Sequence, residues 1–91
     1  MRVRVELFGI PRHRIGVPYV MVCLDSETAR LCDVLWDVAR QFPSFAEECM
    51  VEDRVQVGIS VNLDGNQFVN DPETVISAGQ SLLIMSADAG G

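Results

Sequence analysis

Apolar and polar residues alternate from Arg2 to Phe8, with Val3, Val5 and Leu7 on one side and Arg2, Arg4, Glu6 and Phe8 on the other. A period of two predicts an opening strand with one buried face. Gly9, Pro11, Gly16 and Pro18 then punctuate the chain around Arg12-His13-Arg14, which predicts a loop between two strands. From Tyr19 to Leu24 a second strand sets Val20, Val22 and Leu24 on one face and Tyr19, Met21 and Cys23 on the other. Both faces meet something apolar, so the outer one is a candidate contact surface.

The period then changes. Asp25-Ser26-Glu27-Thr28 offers Ser26 and Thr28 as helix N-caps. Leu31, Val34, Leu35, Val38 and Phe42 follow at the spacing of one helical stripe that ends before Pro43. Trp36 projects well off the stripe, beside Cys32 and Arg40, and the preferred reading packs it beneath the long segment that follows. Pro43 to Gln56 holds no sustained period and room for a short helical turn. Alternation resumes from Val57 to Leu63, with Val57, Ile59, Val61 and Leu63 inward and Gly58, Ser60 and Asn62 outward.

Asp64-Gly65 is a hairpin signal, because a type I′ turn needs positive φ at both central positions, and Gln67 to Val69 makes the short return strand. Asp71-Pro72-Glu73-Thr74 reads as a capped single turn, Ala78-Gly79-Gln80 as a tight turn, and Ser81 to Met85 as the last strand. Leu82 and Ile84 point inward there, Leu83 and Met85 outward. This order predicts an α+β roll, a mixed sheet of four to five strands with one main helix packed on one face. Crossover handedness brings the third or fifth strand beside the first.

Composition narrows the function. Ninety-one residues, 48% apolar and 22% charged, are enough for one soluble domain with a modest core. No apolar run approaches a membrane span, and the expected location is the cytoplasm. A net charge of −6 argues against nucleic acid as partner and for a basic partner surface. All seven basic residues are arginine, so no lysine is present to be acylated. Cys23, Cys32 and Cys49 lack ligand spacing and read as reduced thiols, Cys23 and Cys32 packed and Cys49 the most exposed. His13, flanked by arginines, reads as a solvated residue, and Asp64-Gly65-Asn66 lacks the remaining ligands of a calcium loop. Neither a catalytic constellation nor a metal site emerges.

The remaining feature is the end, Ser86-Ala87-Asp88-Ala89-Gly90-Gly91. We expect a domain over residues 1–86 and a flexible diglycine tail over 87–91. Without Cβ atoms, Gly90 and Gly91 can thread a channel too narrow for side chains and present a carboxylate to a partner's active site.

In the residues Asp71-Pro72-Glu73-Thr74-Val75-Ile76, Ala78-Gly79-Gln80-Ser81-Leu82-Leu83-Ile84 and Gly90-Gly91, the chain resembles the ubiquitin-like sulfur carriers. That family includes the small subunit of molybdopterin synthase, the thiazole-synthesis carrier and the cysteine-synthesis carriers. The opening Val3-Arg4-Val5-Glu6-Leu7-Phe8-Gly9 and the stretch Val38-Ala39-Arg40-Gln41-Phe42-Pro43 also look like the molybdopterin synthase small subunit. Two departures stand out. Gln80 replaces a usual acidic residue, and Ser86-Ala87-Asp88-Ala89 replaces the usual proline and β-branched residue before the diglycine.

The resemblance implies a β-grasp fold and a carrier without catalytic residues or bound cofactor. Gly91 would be the adenylation and thiocarboxylate site, and Gly90, Ala89 and Asp88 would be read by the partner. ATP and magnesium would be used by a ubiquitin-activating-type adenylating enzyme. A sulfur donor enzyme would supply the sulfur, and a molybdopterin synthase large subunit would be the recipient, in molybdenum or tungsten cofactor synthesis. The alternatives are a protein modifier conjugated through its terminal glycine, and a sulfur carrier for thiamine, cysteine or tRNA thiolation. Docking would use the sheet face away from the helix, with Phe8, Met21, Phe68, Leu83 and Met85.

Overall fold

The computed structural model describes residues 1–86. Five strands form the main sheet: β1 (Arg2–Phe8), β2 (Tyr19–Cys23), β6 (Ile59–Leu63), β7 (Gln67–Val69) and β9 (Ser81–Ser86), in the order β2-β1-β9-β6-β7. Strands β1 and β9 run parallel at its centre and the other pairings are antiparallel. This is a ubiquitin-like β-grasp roll, and the fifth predicted strand is the one that lies beside the first.

Helix α2 (Leu31–Gln41) covers one face, burying Leu31, Val34, Leu35 and Val38. Against them stand Val3, Val5 and Leu7 of β1, Val20 and Val22 of β2, Val61 of β6, and Leu82 and Ile84 of β9, all buried. The period-two and period-3.6 stripes therefore meet as one core. At the far hairpin, Asp64 and Gly65 adopt φ of 57° and 77°, the two left-handed residues of the turn that joins β6 to β7.

Several expectations need correction. The segment read as a loop after β1 contains a short helix, α1 (Ile10–Ile15), with proline in its first turn. Gly16 closes it with φ 89°, its N–H donating to the Arg12 carbonyl. Helix α2 starts at neither Ser26 nor Thr28, since Thr28–Arg30 forms β3, paired with β8 (Val75–Ser77). Arg30 is the cap residue instead. Its N–H and its guanidinium both bind the Asp33 carboxylate, and this guanidinium holds the Asp33 carboxyl below its ordinary range.

The aperiodic stretch is α3 (Pro43–Cys49) followed by a small hairpin of β4 (Met50–Val51) and β5 (Arg54–Val55). Phe45 of α3 is fully buried. Val57, read as inward, stands in the turn before Gly58, whose φ is 93°, and is fully exposed. Trp36 does not pack under the α3 segment. It is 48% exposed and lines a surface groove of about 560 Å3 with Leu24, Asp33, Asp37 and Arg40.

The thiols are also rearranged: Cys49 is buried and Cys23, on the outer face of edge strand β2, is exposed, while Cys32 is buried as expected. Burial raises the thiol pKa of both Cys32 and Cys49, which suppresses the reactive thiolate. Alkylation of the folded protein should therefore label Cys23 alone, with Cys32 and Cys49 reacting only in denaturant. Peptide mapping of the labelled protein checks this, and early label on Cys49 would contradict the packing of α3.

Candidate docking face

The sheet face turned away from α2 carries the alternate residues of all five strands. The register aligns Tyr19, Glu6, Leu83, Asn62 and Phe68 in one row across β2, β1, β9, β6 and β7. The next row places Phe8 beside Met85 and Met85 beside Ser60. Because Leu83 and Met85 are two apart on one strand, Phe8, Met85, Leu83 and Phe68 fall on one part of the face, joined through Asn62. Phe8 is 36% exposed and Phe68 71%, whereas Leu83 and Met85 are half-buried.

Met21 is not part of this group. It lies opposite Arg4, which donates to Glu6 at 3.0 Å and stacks its guanidinium over the Tyr19 ring at 3.9 Å. Arg4, Glu6 and Tyr19 form a polar strip between Met21 and the apolar group. Tyr19, 44% exposed, was visible on the outer face in the sequence but was not among the docking residues. Arg2 and Arg4 against Glu6 leave the charged side chains of β1 with a net +1, although the chain carries −6. The acidic excess therefore lies outside β1, while Asp33, Asp37 and Glu48 are paired with Arg30, Arg40 and Arg14.

Strand β9 is the last described element, and three residues separate its end from Gly90-Gly91 in the sequence. Its last residue, Ser86, pairs with Ile59, and its buried hydroxyl accepts the Ile10 N–H at 3.1 Å. The N-terminus of α1 thus anchors the chain where β9 ends. Alternation after Leu82 and Ile84 already placed Ser86 inward, the one signal that could have marked it. Asp88, Ala89, Gly90 and Gly91 lie outside the described residues.

A second groove, of about 490 Å3, runs beside β7 between Arg54, Val57, Ile59 and Phe68. His13 is exposed on α1. Among the described residues, no group of three or more His, Cys, Asp or Glu side chains is placed to hold a metal ion. No helix among the described residues is long and apolar enough to cross a membrane.

No family model and no curated protein matches the sequence. Solved structures do match. SAMP1 from Haloferax volcanii superposes with a TM-score of 0.83 over 100% of both chains at 21% identity. A chain of the BexX/CysO complex from Amycolatopsis orientalis gives 0.77 at 22% identity, covering 98% of this chain and 99% of that one. A chain of the complex of subunits 1 and 2 of molybdopterin-converting factor from Helicobacter pylori gives 0.61 at 15% identity, over 100% of both. These likenesses establish a shared fold along the whole chain.

Proposed function

We propose that this protein is a sulfur carrier whose Gly91 carboxylate is activated by a separate adenylating enzyme. The observation that carries the reading is the apolar sheet face, whose central strand β9 ends three residues before Gly90-Gly91 in the sequence. The likeness to carriers and modifiers of the same fold supports it. The carboxylate attacks the α-phosphate of ATP and pyrophosphate leaves. An enzyme persulfide then attacks the acyl carbon, AMP leaves, and a thiol cleaves the resulting acyl disulfide to give a thiocarboxylate and a disulfide. The thiocarboxylate sulfur attacks an electrophilic carbon of the acceptor and displaces an oxygen leaving group from it, and hydrolysis of the acyl–sulfur bond then leaves sulfur on the acceptor and restores the carboxylate.

The chain itself acts as co-substrate. Gly90 keeps the tail slim, and the sheet face orients it in the partner. ATP and magnesium belong to the adenylating enzyme. Molybdopterin synthesis, with a large subunit as recipient, is the pathway we favour, on the resemblance of residues 3–9 and 38–43 to the synthase small subunit.

A second reading is favoured by SAMP1, which is described as a small archaeal modifier protein. In it the same activated carboxylate is transferred to lysines of other proteins. Absence of lysine here excludes self-linked lysine chains under either reading.

Intact-mass spectrometry with the adenylating enzyme, ATP and a sulfur source tests the proposal. Replacement of one oxygen by sulfur, mapped to Gly91, is expected. Adducts on other proteins would favour the modifier, and deletion of Gly91 should abolish either product while leaving the melting temperature unchanged. Product formation without Gly91 would overturn the assignment.

A further inference from the structure

Two polar residues are buried among the described side chains, Asn62 and Ser86, and they are treated differently. The Ser86 hydroxyl has its partner in the Ile10 N–H. Asn62 is 7% exposed, and its Oδ1 is shut off from solvent with no hydrogen-bond donor. Its neighbours on β6, Val61 and Leu63, belong to the core, so strand alternation turns Asn62 to the open face. There it is flanked in register by Leu83 and Phe68, inside the apolar group.

A sealed carbonyl without a donor is a net cost to the free protein, and a leucine or valine of similar size would avoid it. Phe68, its neighbour on the outer side, is 71% exposed on β7, a three-residue edge strand paired on one side only. Little packing holds that ring in place.

We infer that Asn62 Oδ1 is an acceptor held in reserve for the docked partner. Resting on the carrier reading, this adds a requirement that an apolar patch alone does not impose. The adenylating enzyme must bring an N–H or O–H donor into the centre of its apolar contact. A partner that matches the face in shape but lacks the donor leaves the carbonyl unpaired and binds more weakly. Asn62 is thus a specificity residue in an otherwise hydrophobic contact.

The test combines melting curves with binding of the adenylating enzyme, for the wild type, Asn62→Leu, Asn62→Val, Phe68→Ala and the Asn62→Leu/Phe68→Ala double variant. Removing the unpaired carbonyl should raise Tm by about 5 °C while weakening binding about 10-fold. Truncating Phe68, the register neighbour on the edge strand, is expected to loosen the surround of the carbonyl, so Asn62→Leu should gain less stability in that background. Higher Tm with unchanged affinity would overturn the inference. So would an unchanged or lower Tm in both Asn62 variants, since the carbonyl would then not be unpaired in the free protein. Failure of the wild type to bind any adenylating enzyme refutes the carrier reading, and with it the partner assigned here.

Discussion

Replacing Phe45 with alanine is expected to lower the melting temperature by about 20 °C. The side chain is the largest of those fully buried, and it sits on α3, which packs against both α1 and α2. Truncation of a buried phenylalanine costs about 3–5 kcal/mol, because the lost burial is compounded by a cavity the neighbours cannot refill. A domain of this length holds only roughly 5–14 kcal/mol in total, and each kcal/mol moves Tm by about 4–8 °C. Phe45→Leu should retain most of the stability. Circular dichroism melts of both variants decide it, and a loss below about 5 °C for alanine would mean that α3 is not part of the cooperative core.

Leu83→Arg should leave folding almost untouched and weaken binding of the adenylating enzyme about 100-fold. The residue is half-buried at the centre of the row on the open face, with Glu6 beside it in register. An arginine there can pair with Glu6 in the free protein, which limits the cost of placing a charge on the sheet. Within a docked contact the same guanidinium must be stripped of water between apolar surfaces, a cost of about 3 kcal/mol or more unless the partner supplies an anion. Titration calorimetry against the enzyme, with Tm as control, measures both effects. Undiminished affinity would move the docking surface away from this face.

Where a single face of an element is buried, the sequence announces it. The alternation of Val3, Val5 and Leu7, of Leu82 and Ile84, and the stripe from Leu31 to Val38 all report contact with one core. Short elements escaped because their signals are ambiguous at that length. Pro11 and Gly16 were read as loop residues, yet proline in the first turn and glycine just past the last are also how a short helix begins and ends. Phe45 and Cys49 lie four apart and both are buried, one turn of α3 with too few positions to define a period. Val57 extended the alternation of β6 by one repeat too many, because Gly58 with its positive φ turns the chain just before Ile59. On the open face of the sheet, alternation gave the facing of Phe8, Leu83 and Met85. It could not show that the Arg4–Glu6 pair separates Met21 from them, since that depends on register between strands distant in sequence.

Strand β9 is the partner of both β1 and β6 at the middle of the sheet. During synthesis it is made after all the others, so the β1–β2 pair on one side and the β6–β7 pair on the other cannot be joined until residues 81–86 leave the ribosome. Sheet closure is a single late event set by the far end of the chain. The apolar group cannot assemble before that event, because Leu83 and Met85 are its centre. A truncated or unfinished chain thus lacks the apolar face, which exists only once all five strands of the sheet have been made.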